Sequence, residues 1–350
     1  MKMVDRRHLN TLYVSTEGAY VHKDGENAVV EVEGVERLRV PLHKLGSIAP
    51  LGRVSISAGL MAAALEAGIA ITHFSDNGRF LARVEGPVSG NVLLRRDQFR
   101  AHESEAASAR FAAAIVIAKA SNQRAVLQRA LRDHGDGMDE AAEGAMQSAV
   151  VLLADAARRC LKPRPLDEVR GIEGEAARAY FGVFDHLIRM KAPGLRFTTR
   201  SRRPPLDAVN ALLSFLYTLL VHDCRSALEG VGLDPAVGFL HRLRPGRPSL
   251  ALDLMEELRP HLADRLALTL VNRGELGIRD FRIFENGAVF LGDDARKQVL
   301  VAFQERKREE IEHPFLKEKA SIGLLPHIQA QLLAKAVRGD LDGYPPMLWK

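Results

Sequence analysis

His241, Asp253, Glu256 and, between the histidine and the acids, three arginines fall within residues 238–259, GFLHRLRPGRPSLALDLMEELR. His241 sits in a loop rich in Arg, Gly and Pro. Pro248 and Ser249 mark a helix start, with Ser249 as the expected N-cap. At about 100° per residue, Asp253 and Glu256 project about 60° apart on one flank. Leu250, Leu254 and Leu258 form the stripe expected to be buried beside them. Two hard oxygen donors, one imidazole and Arg242, Arg244 and Arg247 between them have the composition of a divalent-metal site next to a phosphate. A solvated acidic face with a surface histidine accounts for this segment equally well.

A third acid comes from Leu166–Lys191, which reads as a helix. Glu173, Ala177, Tyr180, Phe181 and Phe184 follow one helical face, so Glu173 is expected to point inward with the aromatics. Glu175 falls on the opposite side with Arg178. A carboxylate on an apolar face is costly unless it is paired or bound to metal; a buried Glu–Arg pair is the structural alternative. Residues 192–205, APGLRFTTRSRRPP, set Arg196, Arg200, Arg202 and Arg203 around Phe197. Beside a metal site they would serve as phosphate contacts; a solvated charge run is the plainer account of any one of them. The apolar helix Asp207–Gly230 carries Asn210, Ser214 and Tyr217 within about 60° of one another. Tyr217 could donate a hydrogen bond in a site and Asn210 could position one; a satisfied polar patch explains Ser214 better.

The elements that must position these residues divide the chain in two. Residues 9–85 read as short strands, Thr11–Ser15, Ala19–His22, Ala28–Val32, Glu36–Pro41 and Val54–Ser57. A helix Ala58–Ala67 and a hairpin Ile69–Phe74/Arg79–Val84, turned at Asp76-Asn77-Gly78, follow. Gly86–Asn91 is the expected boundary between a β-rich domain, 1–90, and a helical domain, 91–350. Expected helices in the second are Phe99–Arg132, Asp139–Cys160, Asp293–Glu312 and 325–338, with a small hairpin Phe281–Phe284/Ala288–Leu291. The fold class is therefore α+β: a sandwich-like β domain, then a larger all-α domain carrying the metal site.

Composition narrows the function classes. Of the 350 residues 47% are hydrophobic, enough for a sizeable core, and the net charge of +5 permits a polyanionic partner. Cys160 and Cys224 are far apart and in no Cys/His cluster, which argues against a disulfide framework or structural zinc. The most apolar run, 208–221, is too short to span a bilayer and contains Asn210 and Ser214. No secretory leader is visible, so a soluble cytoplasmic protein is expected.

Three stretches in this order, GIEGEAARAYF (171–181), DAVNALLSFLYTLL (207–220) and the His241 loop with SLALDLMEELRP (249–260), resemble the CRISPR-associated spacer-acquisition endonuclease/integrase family ("Cas-one"). The resemblance covers the whole chain, and the tail is most similar to the subtype I-C branch. It implies a homodimer with a β-sandwich-like N-terminal domain and a helical catalytic domain. The implied activity is Mn²⁺- or Mg²⁺-dependent DNA cleavage and insertion of short foreign fragments into a CRISPR array. The implied partners are double-stranded DNA, as prespacer and leader–repeat, and a small "Cas-two" protein in a heterohexamer. On this chain the family's metal ligands match Glu173, His241 and Glu256, with Asp253 as a further acid, by water or directly, and Tyr217 as the site tyrosine. Some members carry Asp in place of Glu256, also a hard oxygen ligand.

The residues leave three rivals open. One is a non-catalytic DNA-binding scaffold in a nucleoprotein complex. Another is a metallohydrolase of small molecules, with a closed pocket around Glu173 and His241. The last is a structural helical protein whose acids pair with arginines.

Overall fold

A computed structural model describes residues 6–86, 92–189 and 194–349. Most of the expected boundary, 87–91, and the start of the basic connection, 192–193, lie outside the described residues. Two compact units are present: Met1–Ser89 with Asp293–Glu310 and Ser321–Leu324, and Gly90–Gly292 with Ile311–Ala320 and Leu325–Lys350. Residues 293–310 and 321–324 thus pack with the first unit instead of continuing the helical one.

In the first unit the strands are β1 Thr11–Val14, β2 Tyr20–Asp24, β3 Asn27–Val32, β4 Val35–Pro41, β5 Ser47–Pro50, β6 Ser55–Ile56, β7 Ala70–Phe74 and β8 Phe80–Val84. They form two four-stranded sheets, ordered β1-β5-β7-β8 and β4-β3-β2-β6. β1, β5 and β7 run parallel, whereas β7 and β8 form the expected antiparallel hairpin. β5 has no signal of alternation, because all four of its residues, SIAP, are buried at the centre of a sheet. Leu12, Val14 and Ile48 from one sheet meet Val21, Ala28 and Ile56 from the other, with Leu60 of helix α1 (Ala58–Glu66), in one sandwich-like core.

The second unit is built from α2 Val92–Glu103, α3 Glu105–His134, α4 Glu140–Arg159, α5 Leu166–Gly182, α6 Ala208–Val231, α7 Ser249–Arg259 and α8 Arg265–Asn272. α9, Asp293–Arg308, belongs to the first unit and α10, Leu325–Arg338, to the second. Two-stranded ribbons accompany these helices, the expected hairpin of β9 Phe281–Ile283 with β10 Val289–Leu291 and a second of β11 Glu310–Glu312 with β12 Lys319–Ser321.

Several expected boundaries move for local reasons. The single helix expected over 99–132 is two, broken at Ser104, whose hydroxyl accepts the N–H of Ala107 as the cap of α3. α5 stops at Gly182, and Phe184–Leu187 is a 3₁₀ turn. Ser249 is the first residue of α7, not its N-cap; Pro248 holds that position, and the Ser249 hydroxyl donates to the Arg242 carbonyl at 3.3 Å. At the other end of α7, Pro260 has no N–H to give the Glu256 carbonyl. The chain slips into a π-helical turn, Pro260–Asp264, in which the N–H of Arg265 bonds the carbonyl of Pro260.

Candidate active site

Three elements converge on one point. α5 carries Glu173 on the edge of its buried face, which is formed by Val169, Ile172, Ala176 and Tyr180. α7 carries Asp253 and Glu256, both buried. The loop 232–248 brings His241. Gln98 of α2 holds this loop by donating to the carbonyls of Asp234 and Val237, both at 2.8 Å, and accepting from the N–H of Asp234. Arg170 of α5 donates to the Leu240 carbonyl at 2.7 Å, and Asp167 accepts from both Arg170 and Arg242. The Glu173 helix and the His241 loop are therefore clamped together one turn from Glu173.

The carboxylates of Glu173 and Glu256 face a single ammonium, that of Lys119 on α3, which hydrogen-bonds Glu173 and lies 2.7 Å from Glu256 Oε2. Arg259 holds the other oxygen of Glu256 at 2.8 Å, and Nε2 of His241 is 3.8 Å from that same oxygen. Burial alone would raise the pKa of Glu256, but the charges of Arg259, Lys119 and His241 bring it down to about 2. Glu256 is thus an anion in a dry site, its side chain 3% exposed, whereas Glu173 at 26% and His241 at 20% open toward solvent.

Asp253 is spent on the loop. Its carboxylate accepts the N–H groups of Phe239, Leu240 and His241 at 2.6–3.0 Å and faces Nδ1 of His241. A carboxylate only accepts, so Nδ1 donates to Asp253 and Nε2 is turned to the Glu256 side. Tyr217 is likewise committed. It donates to Asp264 at 2.6 Å, and Tyr180 donates to the other Asp264 oxygen at 3.2 Å. Burial pushes the Asp264 carboxyl up to about 6 and the Tyr217 hydroxyl well above its ordinary value. Tyr217 is linked to the carboxylate pair through Arg259, whose guanidinium lies over its ring at 4.7 Å.

Arg200 turns inward. It donates to Asn210 and Ser214 and lies over the Tyr217 ring, 5.2 Å from its centroid. The remaining arginines stay outside. Arg196 pairs with Asp185, Arg242 with Asp167, and Arg202, Arg203 and Arg244 are exposed. Burial and then the charge of Arg244, with smaller effects of Arg202 and Arg203 opposed by Asp253, hold the Arg247 guanidinium below its ordinary value. Phe197 anchors the first segment, its ring 5.0 Å from Phe184 and its N–H bonded to Asp185.

The donor set suits a hard divalent ion: two carboxylates around a cation position already filled by positive charge, with one oriented imidazole. Among the described residues no three acids or imidazoles already stand in ligating geometry, and Lys119 lies between two of the acids. Lys119, Arg259 and Asp264 were not singled out from the sequence. The signal for Lys119 was a lone charge within the apolar run AAAIVIAKA of α3; for Arg259 it was the i, i+3 spacing from Glu256.

Residues 12–305 match the family model described as CRISPR associated protein Cas1. The chain is 57% identical to "CRISPR-associated endonuclease Cas1 2" of Rhodospirillum rubrum, covering 99% of this chain and 100% of that protein. It is 51% identical to "CRISPR-associated endonuclease Cas1 1" of Chlorobaculum tepidum, again over 99% and 100%. A CAS1 protein from Thermotoga maritima shares the fold at a TM-score of 0.79 and 21% identity, over 97% of this chain and 100% of the other. A casposase bound to integration product does so at 0.82 and 20%, over 97% and 94%. The match over most of the chain and the identity to full-length relatives lead to one conclusion: this chain belongs to the CRISPR associated protein Cas1 family.

Proposed function

We propose that the chain is a metal-dependent DNA endonuclease and integrase that inserts short foreign DNA into a CRISPR array, acting in the cytoplasm. The observation that carries this is the meeting of Glu173 and Glu256 across one cation, with His241 Nε2 beside them. Glu173, Glu256 and His241 are the groups that would hold Mn²⁺ or Mg²⁺. A bound ion supplies Lewis acidity at the scissile phosphate and lowers the pKa of the attacking hydroxyl.

The chain's own residues do the rest. Asp253 orients the imidazole. Arg259 keeps Glu256 ionised and is itself stacked on Tyr217 above Asp264. Arg202, Arg203, Arg244 and Arg247 offer guanidinium groups to DNA phosphates, with Arg196 and Arg242 at the margins. The attacking group is the 3′-hydroxyl of a DNA fragment in joining and water in cleavage. The name of the full-length relatives, endonuclease Cas1, supports cleavage as the reaction. The integration product bound to the casposase of the same fold is in keeping with joining.

The same reading makes the β-rich domain, 1–90, the dimerisation scaffold and assigns the chain to the subtype I-C branch. It has a small second protein join the homodimer in a heterohexamer; a related fold is described in a "Cas6-RT-Cas1--Cas2 complex", at a TM-score of 0.80. Glu173→Ala, His241→Ala and Glu256→Ala are expected to abolish Mn²⁺-dependent cleavage and joining of branched DNA while DNA binding persists. Full strand transfer by Glu173→Ala would overturn the metal assignment. Binding without any cleavage by the unaltered protein would leave the scaffold reading standing.

A further inference from the structure

We propose that Lys119 is a built-in counter-cation of the metal centre: it draws Glu173 and Glu256 together in the metal-free protein and competes with a divalent ion for the space between them. The inference rests on the reading that these two carboxylates hold the ion.

Lys119 lies on the interior face of α3, between Val116 and Ala120, with a side chain 3% exposed. An ammonium at such a position is costly unless it is fully paired. Its partners are the two carboxylates that otherwise face each other: Glu173, and Glu256 Oε2 at 2.7 Å. Arg259 already serves Glu256 Oε1, so Lys119 is the cation that joins the two acids. Without it, two anions would face each other in a site that is dry on the Glu256 side.

A divalent ion needs these same oxygens at about 2.0–2.6 Å, the space in which Nζ now stands. The ammonium and the ion therefore exclude each other, and metal entry requires Nζ to withdraw. Lys119 thereby preassembles the site and sets the divalent concentration at which it loads. It acts through the carboxylates and is a positioning residue.

The test uses the full chain and Mn²⁺ alone. Lys119→Met and Lys119→Gln are compared with the unaltered protein by titration calorimetry, by electron paramagnetic resonance of free Mn²⁺, and by melting with and without chelator. Both variants are expected to bind Mn²⁺ about tenfold or more tightly, since a competing charge is gone. They should melt several degrees lower in chelator and recover in Mn²⁺. Unchanged or weaker Mn²⁺ binding in both variants, while the unaltered protein binds, overturns the proposal and leaves the metal reading intact. A variant that stays unfolded in saturating Mn²⁺ also overturns it, because the ion would then fail to replace the ammonium. Absence of Mn²⁺ uptake by the unaltered protein defeats the metal reading itself, and the proposal with it.

Discussion

Nδ1 of His241 lies 2.6 Å from Oδ1 of Asp253, and that buried carboxylate also gathers three consecutive backbone N–H groups of the His241 loop. One side chain therefore sets both the path of the loop and the tautomer of its imidazole. The approach is close enough to require glycine at 238: a Cβ there would stand 2.6 Å from Asp253 Oδ2 and 2.7 Å from the Ser249 backbone.

Asp253→Asn keeps the shape but replaces an acceptor oxygen with an amide donor. Metal-dependent cleavage is expected to fall about 10–100-fold. The loop should also lose about 1–3 kcal/mol, because buried N–H groups lose an acceptor. Single-turnover cleavage and urea denaturation measure the two effects. Gly238→Ala is expected to cost about 1–3 kcal/mol by overpacking against backbone, with the same loss of cleavage.

Glu257 gives a pH signature. Burial pushes its carboxyl up to about 7, against hydrogen bonds from Tyr344, the Met347 N–H and Gln329. A folded-state value above the ordinary 4.5 means that the folded chain holds the proton more tightly than the unfolded one. Stability from this group is fully present below about 4.5 and is lost as pH rises through about 7. Glu257→Gln is expected to flatten that part of the curve of unfolding free energy against pH. An unchanged slope between those limits would refute the assignment.

The arginines separate by task. Arg202→Ala, Arg203→Ala, Arg244→Ala and Arg247→Ala should each weaken DNA binding, lowering the slope of log K against log salt by about one, with little change in melting. Arg200→Ala should instead cost about 1–3 kcal/mol of stability, since it bonds Asn210 and Ser214 and covers Tyr217. Binding isotherms at several salt concentrations and thermal melts distinguish them.

The C-terminal tail is part of the helical core. The Trp349 indole stacks on His261 at 4.2 Å and 4°. The backbone N–H of Trp349 bonds Asn122 of α3, which also bonds the carbonyls of Glu257 and Met347. Trp349→Ala should remove about 0.5–1.5 kcal/mol of ring contact beyond the lost area, lowering the melting temperature by several degrees. Calorimetry reads the change.

Much of this was legible before folding. Strand-forming residue types between turn residues located seven of the eight strands of the first unit. The failure was β5, buried on both faces and so without a period. The family motifs singled out Glu173, His241 and Glu256, whose chemistry is written in their side-chain types and order. The sequence also marked Arg200 as basic, but basicity does not say inward or outward. Lys119, 54 residues from Glu173, Arg259 with Tyr217, and Asp253 as the anchor of the His241 loop are decided by helix packing. A charge meets its partner at a distance the chain fixes only in three dimensions, and local pattern carries no record of that distance.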